Sequence, residues 1–210
     1  MRNKSRRILS ESARTSTQTR FVQSRVGAGG VSAEGVGSAD SLFFAVVPND
    51  DERVATSSCI SRLGTDLGLR FKTRPSSVLH ATAMKVGTFE AQQRQIELVK
   101  QLAGLTRAAP FALVFDRVMS FGGGALVLAC SEAPDSWRAL CRQLRTAPLR
   151  LGLPAIGGSS PHATFSYVDA VLPSTPVEPP VSWRVDSFVL VRSHHGETRH
   201  TELGRWPLRG

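Results

Sequence analysis

Two hexapeptides that share a central His-Ala-Thr decide the interpretation of this sequence: LHATAM at residues 79–84 and PHATFS at residues 161–166. In a β-strand, residues that are two positions apart point to the same side. One face of each copy therefore presents an imidazole and a hydroxyl, His80 with Thr82 and His162 with Thr164. The histidines lie 82 positions apart, one in each half of the region after residue 40. This spacing predicts an internally duplicated fold with a site between its halves.

The paired motifs suit acid–base chemistry at a phosphate. Unperturbed histidine has a pKa of about 6.5, so one ring can accept a proton while another donates one. Each positioned group contributes roughly 10²–10⁴-fold in rate. The hydroxyls of Thr82 and Thr164 can donate hydrogen bonds to an anionic oxygen. This scheme requires no metal and no other cofactor. A single His-x-Thr on a strand is more often structural, and it is the repetition that favours a functional site.

The rest of the sequence predicts an α+β fold with antiparallel sheets, because apolar strand patterns come in adjacent pairs and helices are few. Helices are expected from the Asn49–Asp50 cap to Gly68, from Thr88 to about Leu102, and over residues 136–146 with Pro148 as the stop. Strands are expected over residues 42–47, 78–84, 111–119, 125–130, 161–167, 185–191 and 201–208.

Composition separates the first 40 residues from the rest of the 210-residue chain. Residues 1–40 hold seven basic and three acidic residues and no apolar period, so we expect a disordered basic tail before a single domain over residues 41–210. An organelle transit peptide and a basic arm that binds RNA are the sharper alternatives for this tail. The formal net charge is +9, but residues 41–210 hold 19 basic and 14 acidic residues, so much of the excess lies in the tail.

The cysteines and the hydropathy bear on the compartment. Three cysteines form no CxxC pair, which is typical of a reducing cytosol rather than of a disulfide scaffold or a zinc ribbon. No stretch approaches the roughly 18 consecutive apolar residues of a membrane-spanning helix. We therefore expect a cytoplasmic monomer without a membrane partner.

At the two motifs, the sequence resembles the two-histidine (2H) phosphoesterases, and in particular the bacterial 2′-5′ RNA ligase or RNA 2′,3′-cyclic phosphodiesterase branch. The resemblance extends over about residues 41–209 and includes LFFA at 42–45, FALVFDRVMSF at 111–121 and the region from Phe188 to Leu208. It implies two pseudo-symmetric lobes of antiparallel sheet with flanking helices around a central cleft. It also implies metal-free opening of an RNA-terminal 2′,3′-cyclic phosphate to a 2′-phosphate, with weak reverse 2′-5′ joining.

The resemblance also implies roles for individual residues. His80 would protonate the departing ribose 3′ oxygen as general acid, and His162 would activate water as general base. Thr82 and Thr164 would hold phosphate oxygens. Because the two motifs are nearly identical, their spacing cannot distinguish the acid from the base.

Two positions depart from the family pattern. Tyr167 stands where the bacterial branch usually has a phosphate-binding arginine, and strand alternation from His162 places it on the opposite face unless a bulge intervenes. Its phenol can still donate a hydrogen bond to phosphate. Lys85 stands where the family has a phenylalanine, either as a cation that steers phosphate or as an ordinary exposed residue.

The remaining polar clusters have plainer interpretations. The HHGETRH stretch at 194–200 suggests a metal site, but a solvated hairpin beside Gly196 is favoured. Arg74 and one or two of the C-terminal arginines are candidates to contact a backbone phosphate.

The expected partner is RNA with 2′,3′-cyclic phosphate ends, or a related cyclic nucleotide. Two alternative functions stay open. One is a sibling 2H enzyme acting on a small cyclic nucleotide such as an ADP-ribose cyclic phosphate. The other is a module that binds RNA ends without turnover.

Overall fold

A computed structural model describes residues 39–122, 124–169 and 171–210, and these contain one antiparallel sheet with helices on one face. The strands are β1 Ser41–Val46, β2 Ala81–Thr88, β3 Phe111–Ser120, β4 Ala125–Ala129, β5 His162–Tyr167, β6 Thr175–Val185, β7 Ser187–His194 and β8 Arg199–Pro207. The helices are α1 Asp50–Asp66, α2 Phe89–Gln92, α3 Ile96–Ala103 and α4 Asp135–Arg150, with 3₁₀ turns at Ser76–Val78 and Gln93–Gln95. The predicted α+β class is confirmed.

The sheet consists of two four-stranded halves that meet at a narrow joint. Its strand order is β6-β3-β4-β5-β2-β1-β7-β8, and every neighbouring pair is antiparallel. Between the inner strands β5 and β2, the ladder has a single residue pair, Ala81 with Ala163. These are the central alanines of the two His-Ala-Thr motifs. The predicted lobes therefore correspond to β3–β6 on one side and β1, β2, β7 and β8 on the other.

Two helices tie the halves together by crossing the joint. Helix α1 follows β1 in the chain but packs against β6 of the other half, and α4 follows β4 but packs against β2. The α1 crossing includes a buried hydrogen bond, in which the Trp183 indole N–H donates to the Thr56 hydroxyl at 2.9 Å. Both side chains are almost fully inaccessible to water. Loss of such a partner costs about 1–3 kcal/mol, because the buried donor is then unsatisfied.

The start of α1 follows its sequence signal. The Asn49 side chain accepts a hydrogen bond from the Glu52 amide, and the Glu52 carboxylate accepts one from the Asn49 amide, which completes a capping box. Cys59, Ile60 and Leu63 then point into the main core. The predicted helix is confirmed, although it ends at Asp66, two residues before Gly68.

Four element predictions need correction. Strand β6 was missed because TPVEPPVSWRV holds three prolines; it is an edge strand, where proline is tolerated, and its pairing with β3 is irregular around Pro179. The expected helix from Thr88 is broken by a 3₁₀ turn, because residues 90–95 (EAQQRQ) give no apolar stripe to hold it on the core. Pro148 does not stop α4, which continues for two further residues to Arg150. Pairing of β2 begins at Ala81 because residues 76–78 form a 3₁₀ turn.

The predicted tail, residues 1–38 of it, lies outside the described residues. Asp40 is an exception to the expected boundary, because it is bound to the folded domain. Its carboxylate forms an ion pair with Arg192, lies 3.2 Å from Nδ1 of His194, and accepts a hydrogen bond from the His195 amide at 2.9 Å. These contacts lower the pKa of Asp40, the His195 hydrogen bond most strongly.

Candidate active site

Two His-x-Thr dyads, His80 with Thr82 and His162 with Thr164, come together on one face of the sheet, the cleft face. Because Ala81 pairs with Ala163 in an antiparallel register, His80 lies opposite Thr164 and Thr82 lies opposite His162. Both alanines are fully buried in the main core, so the four polar side chains lie on the opposite face. Diagonal neighbours on paired strands are about 7–8 Å apart. Two imidazoles at that separation can contact opposite sides of one phosphoryl group.

Each imidazole is held in the same way by its own chain. Nδ1 of His80 lies 2.8 Å from the Val78 carbonyl oxygen, and Nδ1 of His162 lies 2.8 Å from the Ser160 carbonyl oxygen. Since a carbonyl only accepts, Nδ1 carries a hydrogen and donates in both rings. Proton exchange is therefore left to Nε2 of each ring.

An aromatic ring packs against each histidine. Phe43 stacks on His80 with ring centroids 4.9 Å apart, and Phe121 meets His162 edge-on at 4.7 Å. Phe43 belongs to a small apolar cluster on the cleft face, together with Ala45, Val189 and Val191. The dyads therefore lie against an apolar wall, which fixes the ring planes and reduces their contact with water.

His80 is perturbed by this environment. Burial lowers the pKa of His80 to about 4, against a smaller opposing effect of the Val78 hydrogen bond. The nearby charges of His200, Arg74 and His162 lower that pKa further. The His80 ring of the free protein is consequently neutral at pH 7.

The loop before the second motif requires glycine at Gly158. This residue has a φ of +89°, and a Cβ there would lie 2.7 Å from the Ala83 carbonyl oxygen and 2.9 Å from the Cys141 Cβ. The Gly158 carbonyl accepts a hydrogen bond from the buried Trp137 indole at 2.9 Å. The loop is thus pressed between α4 and β2, and it fixes the start of the strand that carries His162.

A bulge places Tyr167 on the cleft face. Val127 pairs with Thr164, but its neighbour Leu126 pairs with Ser166, so β5 has one extra residue at this point. Tyr167 then pairs with Ala125 and points to the same side as Thr164. The side chain is 60% exposed. Simple strand alternation would have placed Tyr167 on the opposite face; the bulge that was named as the exception is present.

Lys85 occupies a position on β2 that is equivalent to the position of Tyr167 on β5. A similar irregularity between β1 and β2 pairs Ala45 with Thr82 and Phe43 with Lys85. Lys85 thus lies on the same side of the sheet as Thr82, and it is exposed. Its backbone forms two hydrogen bonds with Ile156, which hold the segment before the second motif against β2.

The HHGETRH stretch does form the predicted β7–β8 hairpin, but His194 and His200 are not simply solvated. Ser193 pairs with His200, so the ring of His200 lies on the cleft face, 5.0 Å from the His80 ring, and the ring of His194 lies on the other. His194 instead contacts Asp40 and Thr201. Burial lowers the pKa of His200 to about 4. Hairpin alternation around Gly196 was the signal that could have assigned His200 to the site.

Further residues of the site were not assigned by the sequence. Phe43 was recognised as a strand residue and Phe121 as the end of the family-like stretch at 111–121, but neither was recognised as a neighbour of the histidines. Within the described residues, no group of three or more His, Cys, Asp or Glu side chains has the arrangement of a metal site. No helix in these same ranges is long and apolar enough to cross a membrane.

Two matching imidazole–hydroxyl pairs, one from each half of a pseudo-symmetric antiparallel sheet, are the arrangement of the 2H phosphoesterases. A family model described as the 2′-5′ RNA ligase superfamily matches residues 58–197. The chain belongs to this superfamily.

Solved structures give the same fold. A crystal structure described as a phosphoesterase has a TM-score of 0.68 at 22% identity, over 82% of this chain and 99% of that one. E. coli LigT complexed with 3′-AMP has a TM-score of 0.65 at 24% identity, over 82% and 99%. TT0787 of Thermus thermophilus has a TM-score of 0.60 at 25% identity, over 81% and 98%. No curated protein sequence gives a significant match to the chain.

Proposed function

We propose that the protein is a metal-independent phosphodiesterase that opens RNA-terminal 2′,3′-cyclic phosphates to 2′-phosphates. The observation that supports this most is the register at the joint, which sets His80 opposite Thr164 and Thr82 opposite His162. A cyclic phosphate bound over the joint would have an imidazole on either side and a hydroxyl donor beside each one. Superfamily membership and the E. coli LigT complex with 3′-AMP, a nucleotide, agree with this substrate class.

The reaction uses the two rings in turn. Nε2 of His162 takes a proton from water, and the water oxygen forms a bond to phosphorus. The bond from phosphorus to the ribose 3′ oxygen breaks, and Nε2 of His80 donates a proton to that oxygen. Thr82 and Thr164 donate hydrogen bonds to the non-bridging oxygens, with the Tyr167 phenol at the outer edge of the same face. The product has a 2′-phosphate and a free 3′-hydroxyl. If the 5′-hydroxyl of a second RNA end replaces water as the nucleophile, the same bond to the 3′ oxygen breaks and the two ends are joined through a 2′-5′ bond.

The acid role of His80 requires help from the substrate. With a pKa of about 4, the His80 ring of the free protein is neutral at pH 7. The negative charge of a bound phosphate favours the protonated ring, because an opposite charge at short range raises a histidine pKa. Substrate binding therefore prepares the acid.

The test is turnover of an oligoribonucleotide that ends in a 2′,3′-cyclic phosphate, in the presence of EDTA. The expected product is the 2′-phosphate, identified by chromatography against both isomers. Binding without turnover would instead support the non-catalytic module. Activity that disappears with EDTA and returns with a divalent metal would contradict the proposal.

Variants assign the individual roles. His80→Asn and His162→Asn should each lower kcat by at least about 100-fold, since each removes one positioned acid or base. Thr82→Val and Thr164→Val should raise KM and lower kcat less. Thr65→Val is the matched control, because Thr65 is exposed on α1 away from the cleft.

We assign the activity to the cytoplasm, in agreement with three cysteines that form no disulfide.

A further inference from the structure

A polar cavity of about 280 Å³ lies beside the two dyads. Arg74 and Tyr167 line one side of it. The lining also includes Ser41 at the start of β1, Ser193 near the end of β7, and His195 and Thr198 in the β7–β8 turn. The lining thus combines a cation, a phenol and several hydroxyls, which are the donors that proteins use to hold phosphate.

The charge of Arg74 is uncompensated. Its guanidinium forms no ion pair within the described residues. Asp40, the acidic residue next to Ser41 in the chain, is already occupied by Arg192 and His194. The Arg74 guanidinium carbon lies 5.8 Å from the centroid of the Tyr167 ring, over its face. A half-buried arginine without a carboxylate partner attracts an anion.

The backbone fixes Arg74 in this position. Its amide donates to the Phe165 carbonyl oxygen at 2.8 Å, at the bulge in β5 that turns Tyr167 toward the cleft. The positive charge of Arg74 also acts on the rings of the site, because it lowers the pKa of both His80 and His200. Arg74 and Tyr167 therefore lie together at the border of the site.

The distance along β5 indicates which phosphate this unit contacts. Because of the bulge, Thr164 and Tyr167 pair with Val127 and Ala125, which lie two positions apart, or about 7 Å along the strand. That separation exceeds the width of a single phosphoryl group and corresponds to the next group along a nucleotide. The terminal nucleotide of an RNA carries one phosphate on its 2′ and 3′ oxygens and another on its 5′ oxygen.

We propose that the cavity between Arg74, Tyr167 and the β7–β8 hairpin binds a second phosphate, the one on the 5′ oxygen of the nucleotide whose cyclic phosphate lies at the dyads. This inference rests on the proposed function and narrows its substrate class. The preferred substrate carries a 5′-linked phosphate, as an RNA end or an ADP-ribose derivative does, and a bare nucleoside cyclic phosphate is a poorer one.

Binding of the products tests the site without requiring turnover. Calorimetry would compare cytidine 2′-phosphate with the same compound carrying an added 5′-phosphate. We expect the 5′-phosphate to tighten binding to the wild-type protein by about 10-fold or more, the size expected for a charged hydrogen bond. Arg74→Met should abolish this difference, and any change in the affinity for cytidine 2′-phosphate should be smaller than the loss for the compound with the added 5′-phosphate. Tyr167→Phe should reduce the difference in part.

Arg70→Met is the matched control, since Arg70 is an exposed arginine of the same loop that does not line the cavity. It should keep the full preference, and circular dichroism should show that all variants melt like the wild type. Equal wild-type affinity for both compounds would overturn the inference. An equal loss for both compounds in Arg74→Met would also overturn it, because Arg74 would then contact the phosphate at the dyads. Failure of the proposed function is a separate result, namely no turnover of an RNA-terminal 2′,3′-cyclic phosphate or of an ADP-ribose cyclic phosphate.

A final comparison identifies the source of the second phosphate. KM would be measured for a ribodinucleotide that ends in a 2′,3′-cyclic phosphate and for an ADP-ribose cyclic phosphate. A lower KM for the dinucleotide, lost in Arg74→Met, assigns the site to the RNA backbone. A lower KM for the ADP-ribose compound, lost in the same variant, assigns it to a pyrophosphate. A KM that Arg74→Met leaves unchanged for both would contradict the site.

Discussion

Occupation of the cleft by a phosphate should raise the pKa of His80. In the free protein the pKa is about 4, so only about one ring in a thousand is charged at pH 7. Half-protonation at pH 7 requires a rise of about three pKa units, or about 4 kcal/mol. One negative charge at about 4 Å supplies about 4 kcal/mol when the effective dielectric constant is about 20. A singly charged phosphodiester in contact with the ring is therefore sufficient to make His80 an acid.

The assay is an NMR titration of the histidine Cε1–H resonances, with and without saturating cytidine 2′-phosphate. His80→Asn and His200→Asn spectra would assign the resonances of the two half-buried rings. We expect a His80 midpoint near pH 4 in the free protein and a large upward shift in the complex. A midpoint that stays near 4 with ligand bound would refute the acid role and leave His80 as the base. A free midpoint near 6.5 would refute the argument from burial.

Three predictions concern stability. The folded protein holds the pKa of His80 and of His200 below the value of about 6.5 in the unfolded chain. The free energy of unfolding should therefore fall as the pH drops from 6.5 to 4, by at most about 3 kcal/mol per ring. Urea titrations at several pH values check this. Asn49→Ala should lower the urea midpoint by an amount equivalent to about 0.5–2 kcal/mol, whereas Asn49→Asp, which keeps the cap, should not. Thr56→Val should cost about 1–3 kcal/mol because the Trp183 indole loses its partner, and this cost should largely vanish in a Trp183→Phe background.

The sequence identified the dyads because a repeated motif carries information at short range. The two-residue period of a strand was enough to place His80 with Thr82 and His162 with Thr164 on one face each. It was not enough to place Tyr167, because that side chain depends on a bulge set by the pairing of β5 with β4. No local sequence pattern predicts such a bulge. The prediction for the face of Tyr167 was therefore correctly made conditional on a bulge.

The rest of the site depends on contacts between distant segments. His200 reaches His80 only because β8 pairs with β7 and β7 with β1, a chain of registers that single-sequence patterns do not supply. The same holds for Arg74, which is positioned by the β5 bulge, 91 residues further along at Phe165. Strand β6 was missed because its prolines obscure the strand pattern. An edge position makes them acceptable, but this position becomes evident only in the complete sheet.

The order of the strands along the chain affects how the protein can be made on the ribosome. Synthesis proceeds through β1 and β2, then through all four strands of the other half, and only then through β7 and β8. Until residues 187–194 emerge, the apolar β1 has one open edge, and such edges pair readily with other chains. A nascent chain that stalls before β7 would therefore expose LFFAV at 42–46, so the last tenth of the chain protects one of the first segments to be translated.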